Sequence, residues 1–276
     1  MASDHGAINL SQGFPDFSPP EKLLAMFEKY LHGGYNQYPP MSGVPYLREQ
    51  ISLKLRRLYQ ADLDPDTNIT VTSGATESLF VAIQTVVKSG DEVIVFDPAY
   101  DSYEPAITLA GGQTIHVPMT APEFHLDFDR LTDLLNDKTR LIILNSPHNP
   151  CGSIISALDL EKLAELTRPY DLYLLSDEVY EHMVYDGATH HSLLTHEELR
   201  SRSFVVSSFG KTYHATGWKV AYCAAPVALT AEFRKIHQFV TFTTHTPTQW
   251  ALAEYMEQYP EHYQRLPDFY QAKRDL

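Results

Sequence analysis

The sequence predicts an α/β fold, a three-layer sandwich in which helices cover both faces of a mostly parallel central sheet. Two observations lead to this class. Short β-branched runs alternate along the chain with longer segments of helical periodicity, a pattern that is typical of βαβ units. In addition, residues 141–144 and 172–175 are apolar throughout, as expected for strands that are buried on both faces of a parallel sheet.

The elements follow one another in a regular order. Prolines and a glycine interrupt the apolar pieces of residues 7–20, which predicts an extended arm or loop. Periodicity predicts helices at residues 20–31, 44–59, 78–87, 102–110, 126–136 and 158–167. It predicts strands at residues 69–72, 92–96, 113–117, 141–144 and 172–175, and a further strand that begins at residue 204.

Composition excludes several classes of function. The chain has 276 residues, of which 43% are apolar and 20% charged, as in an ordinary globular protein. Its formal charge of −14 argues against nucleic-acid binding, which needs a basic surface. Two cysteines are too few for a disulfide framework, and we find neither a signal peptide nor an apolar run long enough to span a membrane. We therefore expect a cytoplasmic protein that binds neither nucleic acid nor membranes.

The histidines do not form a metal-binding pattern. His190 and His191 are adjacent, and His182 and His196 have no carboxylate or thiolate at ligand spacing. We therefore predict no metal site, and we interpret His148 as structural.

A strand, a tight turn and a helix follow one another near residue 73. The turn Ser73-Gly74-Ala75-Thr76-Glu77 is made of small residues, which let the backbone approach an anion at the first N–H groups of a helix. The glycine spacing of a P-loop or a Rossmann fingerprint is absent. The turn is therefore either a phosphate-binding site or an ordinary α/β turn.

Polar or aromatic side chains follow three of the predicted strands. The segments are Asp97-Pro98-Ala99-Tyr100, Asn145-Ser146-Pro147-His148-Asn149-Pro150 and Ser176-Asp177-Glu178-Val179-Tyr180. Ligands of open α/β sheets bind outside the carboxyl ends of the strands, so these groups are expected at one edge. A carboxylate there suits a pyridinium nitrogen, an aromatic ring can cover a planar cofactor, and an amide and a phenol can bond a ring oxygen.

A lysine follows the strand that begins at residue 204. Lys211 stands in Ser207-Ser208-Phe209-Gly210-Lys211-Thr212, where the glycine permits a tight exit from the strand. An amine at this edge of the sheet can form a Schiff base with a bound aldehyde. On its own, Lys211 could equally be a solvated surface lysine.

Three motifs, in this order, resemble those of the class I/II aminotransferases of the fold type I pyridoxal-phosphate (PLP) superfamily. They are Asn145-Ser146-Pro147-His148-Asn149-Pro150, Ser176-Asp177-Glu178-Val179-Tyr180 and Ser207-Ser208-Phe209-Gly210-Lys211. Within the family, residues 9–17, 36–38 and 208–214 are most similar to those of the methionine and kynurenine aminotransferases. The resemblance covers nearly the whole chain. It implies a PLP-dependent enzyme that moves an amino group from an amino acid, plausibly methionine or an aromatic one, to a 2-oxo acid.

The resemblance also implies roles for the residues at the strand ends. Lys211 would bind PLP covalently and, once released by substrate, would act as the general base. Asp177 would pair with the pyridine nitrogen, and Tyr100 would stack on the ring. Asn149 and Tyr180 would bond the phenolic oxygen of the cofactor, and Asn149 would also contact the substrate carboxylate.

Further residues would surround the phosphate and the substrate. The family motif assigns the phosphate to the backbone of Ala75 and Thr76, the Ser208 hydroxyl and the Lys219 cation. Many relatives have arginine at the last position, so lysine is a departure from the common pattern. Gly13 resembles the residue that lines the substrate pocket.

Tyr38 resembles the tyrosine that reaches the phosphate of the partner subunit, which implies a homodimer with shared active sites. Trp218, Tyr222 and the apolar stripe of residues 229–240 are expected in the core or on the dimer surface.

The motifs leave other functions open. A PLP-dependent cysteine-conjugate β-lyase uses the same cofactor chemistry, and a PLP-binding regulatory or inactive module would keep the same residues. We expect residues 1–35 to form an N-terminal arm and part of a small domain, and residues 36–276 to form the PLP-binding large domain.

The last residues, 268–276, are amphipathic and have no helix-ending signal, which predicts an unfinished helix. The resemblance implies that this is the start of the interdomain helix, and the expectation is therefore a fragment that lacks the C-terminal small domain and its substrate-binding arginine. Arg234 and Arg274 do not match that arginine's motif.

Overall fold

The structure, a computed structural model, describes residues 2–9, 13 and 15–276. Within the predicted arm, Leu10, Ser11, Gln12 and Phe14 lie outside the described residues. The prediction for residues 7–20 is thus covered only in part.

A seven-stranded sheet forms the centre of the molecule. Its order is β1-β7-β6-β5-β4-β2-β3, and β7 alone runs antiparallel to its two neighbours within this sheet. The strands are β1 (Ile69–Thr72), β2 (Glu92–Asp97), β3 (Gln113–Pro118), β4 (Thr139–Asn145), β5 (Tyr173–Asp177), β6 (Ser203–Ser208) and β7 (Ala221–Ala224). The predicted α/β fold with a mostly parallel sheet is confirmed.

Helices cover both faces of the sheet. They are α1 (Glu21–His32), α2 (Pro45–Tyr59), α3 (Ala75–Val86), α4 (Tyr103–Ala110), α5 (Phe128–Leu134), α6 (Ala157–Thr167), α7 (Glu197–Arg200), α8 (Phe209–Thr212), α9 (Val227–Val240), α10 (Thr246–Gln258) and α11 (Leu266–Arg274). Among the residues described, no helix is both long and apolar enough to cross a bilayer.

Two hydrophobic cores lie on opposite faces of the sheet, and strand periodicity assigns residues to them. In β2, Ile94 and Phe96 belong to the core that contains α2 and α6, whereas Val93 and Val95 belong to the core under α3 and α4. Side chains of a strand point alternately to its two faces, so a fully apolar strand serves both cores. This is why residues 141–144 contain no polar side chain.

Among the differences from the predicted elements, three concern β7, α3 and α5. Strand β7 was not predicted, because it has only four residues, Ala-Tyr-Cys-Ala, without an apolar alternation. Helix α3 begins at Ala75, three residues before the predicted start, because the small residues of the turn already adopt helical geometry. Helix α5 is shorter at both ends than predicted, and the Asp127 side chain caps it by accepting the Arg130 N–H.

The carboxyl ends of β4, β5 and β6 meet at one edge of the sheet. Asn145, Asp177 and Ser208 are the last residues of these strands. The parallel register Asn145↔Asp177 brings the first two side by side. The sheet thus collects the predicted polar groups at this edge.

Candidate active site

A cavity of about 800 Å³ opens at the carboxyl edge of the sheet. It is lined by most of the residues that the sequence predicted for cofactor or substrate. These are Gly13, Ala75, Thr76, Tyr100, Asn149, Asp177, Tyr180, Ser208, Lys211 and Lys219. The predicted site residues therefore converge in one place, with Tyr38 as the exception.

Lys211 lies on the single turn of α8, directly after β6. The Ser208 hydroxyl caps this turn by accepting the Gly210 N–H at 3.1 Å. A Cβ on Gly210 would lie 3.0 Å from the Cα of Thr216, so a larger residue at this turn would press against the Thr216 backbone. The Lys211 ammonium, half-buried, lies 5.2 Å from the centre of the Tyr180 ring.

Asp177 presents a buried carboxylate to the cavity, with 3% of its surface exposed. The Tyr103 hydroxyl donates to its Oδ2 at 2.8 Å, and the Val179 N–H lies 3.4 Å from its Oδ1. Burial raises the pKa of Asp177 to about 6, although these hydrogen bonds favour its ionised form. Such a carboxylate is poised to accept a cationic partner from the cavity.

The turn before α3 has the geometry of an anion site. Gly74 precedes the helix with φ +85° and ψ 162°, a backbone region that is essentially restricted to glycine. A Cβ on Gly74 would lie 2.9 Å from the Cε of Lys219, so the lysine side chain fills this space. A cation beside the positive end of a helix is unfavourable unless an anion lies between them. The turn therefore has a geometry that can hold an anion.

Asn149 is held in place by a second asparagine. The Asn145 side chain accepts the Asn149 N–H at 2.7 Å and donates to the Asp177 carbonyl at 2.9 Å. One amide thus fixes the Asn149 loop to the strand that bears Asp177.

Tyr38 does not line the cavity and is 83% exposed. Its ring packs edge-to-face against Phe242, with 5.5 Å between the ring centres. Phe239, Val240 and Phe242 nearby are also exposed, at 85%, 48% and 41%. Tyr222, by contrast, is buried, and Trp218 packs against Phe27.

Sequence reasoning missed two residues that organise the cavity. Tyr103 was predicted only as part of a helix, and Asn145 only as part of a motif. Tyr103 reaches Asp177 across 74 positions, and no local sequence signal marks that contact. For Asn145, its place at a strand end was the available signal.

The unassigned arginines lie away from the cavity. Arg234 bonds Thr70 and the backbone of Asp66 and Ile69, and Arg274 pairs with Asp186. Within residues 2–9, 13 and 15–276, no group of three or more metal-ligating side chains converges.

Comparison with known proteins agrees with this geometry. The family model for aminotransferase class I and II matches residues 5–276. Methionine aminotransferase of Escherichia coli (strain K12) is 50% identical over 276 residues, which are 100% of this chain and 72% of that protein. Kynurenine–oxoglutarate transaminase 1 of Rattus norvegicus is 36% identical over 95% of this chain and 65% of its own length.

A solved structure gives the same result. The crystal structure of YbdL from Escherichia coli, for which a methionine aminotransferase function was identified, superposes with a TM-score of 0.97. It is 50% identical and covers 99% of this chain and 72% of its own. These relatives are named as transaminating enzymes, which gives no support to the β-lyase alternative.

Proposed function

This chain belongs to the class I and II aminotransferases, and on that premise we propose that it uses PLP to move the amino group of methionine, or of an aromatic amino acid, to a 2-oxo acid. The choice of methionine is supported by the E. coli methionine aminotransferase, which is 50% identical over all 276 residues of this chain. The choice of an aromatic donor is supported by the kynurenine transaminase. As for most enzymes of amino-acid metabolism, we propose a cytoplasmic location.

The residues of the cavity fit PLP. Asp177 is a buried carboxylate whose hydrogen-bond donors are a phenol and a backbone N–H, so it can also accept a pyridinium nitrogen. Gly74 and Lys219 leave a cradle at the start of α3 for a phosphate. Lys211 offers an amine in the same cavity. Bound PLP would supply an aldehyde carbon that accepts the amino group and a ring that withdraws electrons from the substrate α-carbon.

Each residue then has a proposed task. The Lys211 amine would hold the cofactor and, once displaced by the substrate amine, would take the proton from the α-carbon and deliver it during transfer. Asp177 would keep a proton on the pyridine nitrogen. Asn149 and Tyr180 would donate hydrogen bonds to the ring oxygen, and Tyr100 would cover the ring face.

The phosphate would be bound at the start of α3. The backbone N–H groups of Ala75 and Thr76 belong to the first turn of the helix, where they have no intrahelical partner. The Ser208 hydroxyl and the Lys219 ammonium line the same cavity. Gly13, which is exposed and has no atom within 4 Å of its would-be Cβ, leaves room for the substrate side chain.

The observation that supports the proposal most directly is the presence of Lys211 and Asp177 in one cavity. Borohydride reduction of the PLP-treated protein, followed by peptide mapping, should place the label on Lys211. The Lys211→Ala variant should lose the label, and Lys235→Ala, which changes an exposed lysine on α9, should keep it. A label on another lysine would contradict the assignment.

The substrate is tested with a panel of amino donors. Methionine and aromatic amino acids should give the highest kcat/KM with a 2-oxo acid as acceptor. Release of pyruvate from a cysteine conjugate without any amino acceptor would instead indicate β-elimination.

We also propose a homodimer whose subunits share the active sites. The exposed apolar side chains of Tyr38, Phe239, Val240 and Phe242 lie together and are the kind of surface that a second copy covers. In the dimer, Tyr38 would reach the phosphate of the partner subunit. Sedimentation that shows only monomers at micromolar concentration would contradict this proposal.

A further inference from the structure

His237 on α9 is fully buried and contacts two acceptors. Its Nδ1 lies 2.6 Å from Oε1 of Glu77, and its Nε2 lies 3.0 Å from the carbonyl oxygen of Met41. A neutral imidazole has a single N–H, so it can donate to one of these oxygens only. The short distance to Glu77 is typical of a hydrogen bond to a carboxylate.

Glu77 connects this histidine to the turn before α3. It lies in the first turn of the helix, and its Oε2 accepts the backbone N–H of Ser73. The Ser73 hydroxyl in turn donates to Thr244, between α9 and α10. The Glu77 carboxylate thus closes the turn that presents Ala75 and Thr76 to the cavity.

Met41 connects the same histidine to the segment of Tyr38. The Val71 N–H of β1 donates to the Ser42 carbonyl, which fixes this segment to the sheet. The main-chain carbonyl of His237 also accepts the N–H of Phe242, on which the Tyr38 ring packs. His237 therefore contacts both parts of the chain to which phosphate binding is assigned.

We infer that His237, through Glu77, is a positioning residue for the phosphate group of the cofactor. This inference rests on the proposed use of PLP. The pair does not touch the cavity itself; it holds the α3 turn in the conformation in which its N–H groups converge on an anion. Loss of either side chain removes the same link. The effects of the two substitutions should therefore not add.

The test compares two ligands that differ in the phosphate alone. Dissociation constants of PLP and of pyridoxal are measured by equilibrium dialysis on cofactor-free wild-type protein, His237→Gln, Glu77→Ala and the double variant. The control is His196→Gln, which removes another histidine–glutamate pair, with Glu161 at 3.3 Å, outside the cavity. The comparison needs no catalytic activity.

Each of the two single variants should weaken PLP binding about tenfold, the loss expected for one hydrogen bond to a charged group, and leave pyridoxal binding unchanged. The double variant should show the same tenfold loss, and His196→Gln should show none. If His237→Gln does not fold, Glu77→Ala provides the same comparison.

Equal weakening of PLP and pyridoxal binding would show a general loss of structure and would overturn the positioning role. Unchanged PLP binding in folded variants would overturn it as well. Wild-type protein that binds neither ligand would overturn the proposed function, and this inference with it.

Discussion

Replacing Lys54 with methionine should destabilise the fold severely, because it leaves a buried carboxylate without its cation. Lys54 and Glu181 are 7% and 4% exposed, and their Nζ and Oε1 atoms are 2.6 Å apart. Burial by itself favours the neutral acid, but the Lys54 ammonium outweighs it and holds the pKa of Glu181 well below its usual range. Burial likewise opposes the charge on Lys54, yet Glu181 keeps the pKa of Lys54 raised.

The size of the effect follows from what remains around the carboxylate. Removing one partner of a buried ion pair typically costs about 3–5 kcal/mol. Glu181 keeps two hydroxyl donors, Tyr59 at 2.5 Å and Ser207, and methionine fills the volume of the lysine stem. We therefore expect Lys54→Met to lower the free energy of unfolding by about 3 kcal/mol, near the lower end of this range. That is a large part of the stability of a protein domain, which is commonly about 5–15 kcal/mol.

Urea unfolding at pH 7.5 and pH 5, at one fixed protein concentration, measures this loss. The wild-type Glu181 has a depressed pKa, so its contribution to stability is present above the pKa of the unfolded chain and is lost as the pH falls. In Lys54→Met, no ammonium opposes the effect of burial on Glu181, so the Glu181 carboxyl gains a proton more readily than in the wild type. The difference between the two proteins should therefore shrink at pH 5.

Two further variants serve as controls for the buried Lys54–Glu181 pair. Lys54→Met combined with Glu181→Gln removes both charges and should be more stable than Lys54→Met alone. Lys235→Met breaks an exposed pair with Glu232 and should change stability by less than about 1 kcal/mol. A Lys54→Met protein as stable as the wild type at pH 7.5, with no dependence on pH, would refute this account.

Four other predictions concern the cavity and the exposed apolar surface. Asp177→Asn should fold but transaminate about a thousandfold more slowly, about 4 kcal/mol of transition-state stabilisation, as steady-state kinetics would show. Because burial raises the pKa of Asp177 to about 6, PLP affinity of the wild type should fall as the pH drops through that value, and dialysis should find no such step in Asp177→Asn. Gly74→Ala should lower the free energy of unfolding in urea by about 1–3 kcal/mol and weaken PLP binding, because φ is +85° at this position. Gly217→Ala, which has no atom within 4 Å of its would-be Cβ, should change neither quantity. Phe239→Asp should raise the dimer dissociation constant in sedimentation without altering the fold of the subunit, and an unchanged constant would place the interface elsewhere.

The sequence predicted most of the sheet because its strands are buried on both faces. Strands such as β4 and β5 consist of continuous apolar residues bounded by polar ones, which is a strong local signal. Strand β7, which lies between β1 and β6, has no comparable signal, because three of its four residues are alanine or cysteine. The position of β7 in the sheet depends on the strands beside it in space, and the periodicity of the sequence does not reveal which strands those are.

The site was predictable where its residues follow strands, and it was not predictable where they depend on contacts between distant segments. Asp177 ends β5 and Lys211 lies on the helical turn after β6, so their place at one edge followed from the parallel sheet. His237 lies within the apolar stripe of residues 229–240, where the sequence indicated only core or dimer surface.

Its partner Glu77 is 160 positions away, and the pair becomes apparent only when α9 packs beside α3. The same holds for Lys54 and Glu181, which are 127 positions apart. Charged residues are rarely buried unless they are paired, so a buried charge predicts that a partner exists. The packing of helices on the sheet then decides which residue that partner is.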